Sequence, residues 1–105
     1  MGVYHIVLFK LRPQYETEVF EYWKSEVHKL VGVVPGLRYV DVSKPLPETA
    51  DRTSGYDVSL VAVLDEAKDA LVYAHHPAHE KIIKECRPKL FEDLLICDMP
   101  FMDRS

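Results

Sequence analysis

Cysteine is scarce in this chain. Its two cysteines, Cys86 and Cys97, lie in apolar surroundings and form no CxxC or metal-type spacing. That excludes a disulfide framework and points to a reducing compartment, with both thiols expected as small core residues. Excess positive charge is also missing: 13 Lys and Arg face 17 Asp and Glu, for a net charge of −4. With the basic residues scattered, nucleic acid is not an expected partner. No apolar run reaches the length of a membrane span, so no membrane association is expected. The first residues, Met1 to Phe9, are too short and lack the basic flank of a signal peptide, so the expected location is cytoplasmic. Repeats and low-complexity tracts are absent. What remains is a chain of 105 residues, 48% hydrophobic. It suits a single domain over residues 1–105, large enough to bury a core and small enough to gain from association.

The apolar pattern predicts the elements. Residues 3–11 are β-branched and aromatic and predict a strand. Val3, His5, Val7, Phe9 and Leu11 fall on one face and Tyr4, Ile6, Leu8 and Lys10 on the other, so both faces should be covered. Residues 15–33 predict a helix, with Phe20, Trp23, Val27, Leu30, Val31 and Val34 recurring at three- and four-residue steps. Pro35-Gly36 predicts a turn, residues 37–43 a second strand, and residues 44–55 a polar loop expected to be the most mobile segment. Residues 56–64 predict a third strand and residues 91–99 a fourth, with a loosely packed tail from Pro100 to Ser105. Two helices fill the interval between them. The first, over residues 65–74, is expected to be capped by Asp65, with Ala67, Ala70, Leu71 and Ala74 as its apolar stripe.

This βαββαβ order predicts an α+β, ferredoxin-like fold, a four-stranded antiparallel sheet with the helices on one face. The other face carries Tyr4, Ile6, Leu8, Val61 and Val63, too apolar to be left wet. Burying about five such side chains would stabilise an assembly by roughly 8–15 kcal/mol before association costs. A symmetric homodimer, sheet against sheet, is the expected solution.

Titratable chemistry concentrates in Tyr73-Ala74-His75-His76-Pro77-Ala78-His79. Pro77 cannot continue the preceding helix but suits the first position of a new one, expected to run to Pro88. His79 then sits in a first helical turn, where the positive end of the dipole disfavours an imidazolium. A neutral imidazole can accept a proton, as a general base must. Tyr73 can face the same cavity across the kink. His76 is expected to help cap the new helix and His75 to be solvated. His75 and His79 are four apart, but Pro77 between them spoils the single-face spacing of metal ligands, so no metal is expected.

Several segments together resemble the stress-responsive A/B barrel domain (Dabb) family: His5-Ile-Val-Leu-Phe-Lys-Leu, Val34-Pro35-Gly36, Gly55-Tyr56-Asp57, Tyr73-x-x-His76-Pro77-Ala78-His79 and Leu94-Leu-Ile-Cys-Asp98. The resemblance covers nearly the whole chain. It implies a ferredoxin-like protomer that dimerises through its sheet into an α/β barrel. A characterised plant member, of polyketide-cyclase type, implies an intramolecular aldol condensation in a pocket between sheet and helices. On that likeness the catalytic residues are Tyr73 and His79, and the strand-one histidine is His5. The apolar wall is Val7, Phe9, Trp23, Val31, Leu60, Phe91, Leu94 and Ile96. Where the family member has a pocket tyrosine, Val27 stands here, His28 beside it has no polar counterpart, and Glu80 follows His79. These departures leave the substrate open.

The leading expectation is therefore a cofactor-independent acid/base enzyme acting on a hydrophobic, carbonyl-containing small molecule. His79 would remove a proton alpha to a carbonyl, while the Tyr73 hydroxyl orients His79 or donates to the developing oxyanion. Two alternatives stand beside it. One is a non-catalytic, stress-responsive dimer that binds a hydrophobic ligand, with the His-Pro-Ala-His turn serving only the kink. The other is a small cofactor-free monooxygenase.

Overall fold

Alternation along the strands decides which side of the sheet faces the helices. In the computed structural model, which describes residues 1–102, β1 spans Gly2–Leu11. Its odd-numbered residues Val3, His5, Val7, Phe9 and Leu11 are buried, and its even-numbered residues from Tyr4 to Lys10 are half-buried. The other elements are α1 (Thr17–His28), β2 (Leu37–Ser43), a short 3-10 helix (Pro47–Arg52), β3 (Val58–Leu64), α2 (Lys68–His75), α3 (Pro77–Leu90) and β4 (Phe91–Phe101). The sheet is antiparallel throughout, in the order β2-β3-β1-β4. It is the four-stranded, ferredoxin-like arrangement that the element order predicts.

Register places His5 opposite Ala62 on β3 and Asp98 on β4, and Val7 opposite Leu60 and Ile96. These residues share the helix-covered face. Phe9 stacks on Phe91 with ring centroids 4.2 Å apart, and the edge of Trp23 closes on both rings. This aromatic cluster joins α1 to the sheet.

Helix α1 is shorter than its apolar spacing predicts. It ends at His28, and the chain tightens through bonds from the Leu30 N–H to the Val27 carbonyl and from the Val33 N–H to the Leu30 carbonyl. Gly32 supplies a positive φ of 91° within this turn. The tighter winding keeps Leu30 and Val34 in the core but rotates Val31 outward, to 40% exposure. Asp65 does not cap α2 either. Its carboxylate accepts from Arg38 Nε at 2.6 Å, and the Asp69 carboxylate instead reaches back to the Glu66 N–H at 3.0 Å. Asp69 is buried and also packs against Gly36, whose φ is 83°. A side chain at that turn would be strained and would displace the carboxylate.

Pro88 does not end α3. It lies in the last turn, where a missing N–H removes a single helical bond, and the exit is secured from outside. Arg12 Nε donates to the Pro88 carbonyl at 2.8 Å, and the Arg12 N–H to the Leu90 carbonyl at 2.7 Å. The expected loose tail is ordered at its start: Pro100 and Phe101 extend β4, and Phe101 stacks on Tyr4 at 4.4 Å. Residues 103–105 of that tail lie outside the described residues.

The open face of the sheet presents Tyr4, Ile6, Leu8, Val61 and Val63, joined by Leu95, Cys97 and Met99 from β4 and Tyr39 from β2. Cys97 is thus exposed on the protomer rather than in its core, because it pairs with Ile6 and shares that residue's face; Cys86 is buried. Val63 is already 92% covered within the protomer, at 8% exposure, so further burial there gains less than the strand pattern suggests. Among the described residues no helix is long and apolar enough to cross a membrane.

Candidate functional site

The break at His76-Pro77 shapes the site. His76 has extended backbone angles (φ −65°, ψ 134°), as a residue before proline prefers, and its Nδ1 accepts from the Ala78 N–H at 3.1 Å. Histidine therefore caps α3, and Pro77 occupies its first position. His75 is exposed. The kink turns Tyr73, near the end of α2, and His79, in the first turn of α3, toward each other, with ring centroids 4.3 Å apart. The His5 ring, from β1, lies 5.0 Å from that of Tyr73. Three rings from three elements thus meet at Tyr73.

They border a cavity of about 220 Å³ between the sheet and the helices. The sheet contributes His5, Val7, Phe9, Leu60, Ile96 and Asp98, with Phe91 at the junction of α3 and β4. Helix α1 contributes Trp23 and Val27; α2 contributes Ala70, Leu71, Tyr73 and Ala74; α3 contributes His79, Ile82, Ile83 and Arg87. Val31 and Leu94, expected in the wall, are not part of it. Val31 has turned to solvent, and Leu94, partly buried opposite Phe9, packs against the core. Leu71 and Ile96 are more than half exposed and lie at the rim.

Hydrogen bonding assigns the imidazoles. His5 Nδ1 lies 2.6 Å from Asp98 Oδ1. The carboxylate oxygen accepts, so Nδ1 donates. His79 Nδ1 lies 3.3 Å from the Ala74 carbonyl, which only accepts, so Nδ1 donates and Nε2 of the neutral ring carries the lone pair. The Ala74 carbonyl, not the Tyr73 hydroxyl, orients His79; the two rings meet by their faces, tilted 36°. Burial, before any other cause, holds His79 below the usual imidazole range; the His5 and Arg87 charges push the same way, against the Ala74 carbonyl and Glu80. Burial also pushes the Tyr73 phenol up to about 12, so it stays a neutral donor.

The Tyr73 side chain is 1% exposed, yet no hydrogen bond to its hydroxyl forms among the described residues. No fully buried side-chain nitrogen or oxygen among them is left unpartnered. The hydroxyl must therefore keep some accessible surface, and Tyr73 lines the cavity. The site thus offers a neutral base at His79, an uncommitted O–H at Tyr73 and a carboxylate-oriented imidazole at His5, within a largely apolar wall. Among the described residues no cluster of three His, Cys, Asp or Glu side chains is placed to hold a metal ion.

Two polar members were not singled out from sequence. Asp98 has no local signal, since its role comes from the β1–β4 register. Arg87 did have one: residues 79, 83 and 87 repeat at four-residue steps along one row of α3.

None of the curated proteins matches the chain significantly in sequence. Solved structures do match its fold. The hydroxynitrile lyase of Passiflora edulis aligns with a TM-score of 0.84 at 18% identity, over 99% of this chain and 96% of that one. A dimeric ferredoxin-like protein of unknown function from Thermobifida fusca gives 0.79 at 24% identity, covering 96% and 92% of the two chains. A dimeric protein of ferredoxin-like fold and unknown function from Bacteroides fragilis gives 0.72 at 27% identity, covering 95% and 96%. The model of one family matches residues 3–101, almost the full length, and on that match the chain belongs to the Dabb family, the stress responsive A/B barrel domain.

Proposed function

We propose that this protein is a cofactor-independent acid/base enzyme acting on a small hydrophobic carbonyl compound, of the intramolecular aldol type seen in polyketide cyclases. His79 Nε2 takes a proton from the carbon alpha to one carbonyl. The Tyr73 hydroxyl donates to the oxygen of that carbonyl as enolate charge develops, and the enolate attacks a second carbonyl of the same molecule, whose oxygen becomes the alkoxide. The His79 imidazolium then returns the proton to that oxygen. His5, held by Asp98, serves as a binding group beside Tyr73.

The observation that carries this reading is that a neutral His79 and Tyr73, whose hydroxyl is uncommitted, pack ring to ring at one largely apolar cavity. The likeness to a hydroxynitrile lyase speaks for the fold alone at 18% identity, so the residues bear the chemistry. We further propose that the enzyme is a cytoplasmic homodimer, paired through the open sheet face. The apolar row on that face and the dimeric state of the Thermobifida and Bacteroides proteins support this.

The test follows proton abstraction itself. Deuterium uptake from D₂O at the carbons alpha to the ketone of 4-phenyl-2-butanone is followed by NMR. Wild-type protein is expected to accelerate uptake, and His79→Gln to lower the acceleration by about 100-fold or more without lowering the melting temperature. Wild-type uptake no faster than buffer would leave a ligand-binding dimer as the better account. Loss of stability in His79→Gln with no activity to lose would assign the motif to the kink alone.

A further inference from the structure

Arg87 is the cavity-lining cation that the acid/base chemistry leaves unused. It follows His79 and Ile83 along one row of α3, and all three border the cavity. At about 1.5 Å rise per residue, its Cα stands roughly 12 Å along the helix axis from that of His79. The side chain is half-buried, and no hydrogen bond or ion pair to its guanidinium forms among the described residues. No fully buried side-chain nitrogen among the described residues is unpartnered, so the guanidinium keeps accessible surface and up to five donors with which to meet a ligand.

The carboxylate on the cavity wall, Asp98, is otherwise engaged, bound to His5. The cavity therefore has an apolar middle with Phe9, Trp23 and Ile83, a carbonyl-handling end at Tyr73 and His79, and an unneutralised positive charge two helical turns away. At about 220 Å³ it falls below the roughly 300–1,000 Å³ of drug-sized sites, so it suits a small ligand.

We propose that Arg87 is a binding residue for a carboxylate, and that the ligand is a small apolar molecule with a carbonyl group at one end and a carboxylate at the other. The planar guanidinium fork matches a carboxylate with two parallel hydrogen bonds, and water excluded by the apolar wall strengthens them. This deepens the acid/base reading and rests on it, because it requires that the cavity take a ligand. It sorts substrates: a neutral ketone can enter, but a keto acid is held in one direction, with its carbonyl carried to Tyr73.

Trp23 is the chain's single tryptophan and lines the cavity, so its fluorescence reports occupancy. The probes are 3-phenylpropanoate and its neutral amide, 3-phenylpropanamide, titrated into wild type, Arg87→Gln and Arg87→Lys. Wild type is expected to bind the carboxylate about tenfold or more tighter than the amide. Arg87→Gln should abolish that preference, leaving amide affinity within about twofold and the melting temperature unchanged; Arg87→Lys should restore part of it. Equal wild-type affinity for acid and amide, or a preference that survives Arg87→Gln, would overturn the role of Arg87 while leaving the cavity a binding site. Binding of neither probe would overturn the ligand-cavity reading and this proposal with it.

Discussion

Replacing Tyr73 with phenylalanine separates chemistry from architecture more cleanly than any larger change. The ring is almost wholly buried and touches both His5 and His79, so it is part of the core. Truncation to alanine would cost about 3–5 kcal/mol and would confound any activity measurement. The hydroxyl is different: no hydrogen bond holds it among the described residues. Phenylalanine keeps the packing and removes only that oxygen, so stability should change by less than about 0.5 kcal/mol. In a domain of this size 1 kcal/mol corresponds to about 4–8 °C, so the melting temperature should move by no more than about 2–4 °C. Catalysis should respond far more. Loss of one preorganised donor to a developing oxyanion typically costs about 10²–10³-fold. A phenol held near pKa 12 does not act as a base at neutral pH, so the loss should be one of donation and independent of pH from 6 to 9. The assays are thermal unfolding by circular dichroism and deuterium uptake into 4-phenyl-2-butanone, run on the same preparations. Wild-type uptake in Tyr73→Phe would show that the hydroxyl does not meet the reacting oxygen. A fall of 8 °C or more would show that it supports the fold instead.

Further expectations concern pH and assembly. His79 is held below its ordinary value of 6.5, chiefly by burial, with His5, Tyr73, Arg87 and the Asp98 carboxylate lining the same cavity and Glu80 next to it in sequence. The unfolded chain therefore binds this proton more readily than the folded one. Its contribution to stability is complete above pH 6.5 and is lost as pH falls through the folded value. The melting temperature should decline between pH 7 and pH 5, and less steeply in His79→Gln; superimposable curves would contradict the assignment. Deuterium uptake should rise across the same window and level off near neutrality. On the open sheet face Ile6 lies between Val61 and Cys97. In the proposed sheet-to-sheet homodimer Ile6→Glu would bury an unpaired carboxylate and should weaken association by about 100-fold or more, close to 3 kcal/mol, measured by sedimentation equilibrium. An unchanged dimer would move the interface elsewhere.

Local pattern made the strands legible. The two-residue alternation of Val3, His5, Val7 and Phe9 told which face meets the helices, and the lone apolar face left over pointed to assembly. Pro77 made the kink legible as well, because a missing N–H and a fixed φ act on neighbouring residues alone. The same locality explains the errors. The spacing of Val31 fits a continuing helix, but the chain tightens after His28 around Gly32, and a phase extrapolated past a helix end points the wrong way. Asp65 looks like a cap by composition, yet Arg38, distant in sequence, claims its carboxylate.

What the sequence determined by itself was therefore everything set by short-range sterics and periodicity: the order of the elements, the buried face of each strand, and a histidine in the first turn of a proline-started helix. Tertiary structure alone decided which groups meet. Asp98 reaches His5 only through the β1–β4 register, and Arg87, on the same row of α3 as His79, borders the cavity only because α3 packs against α1 over the sheet. The vacancy between them has no sequence signature, since an unfilled volume depends on how several elements pack at once and not on any residue that borders it.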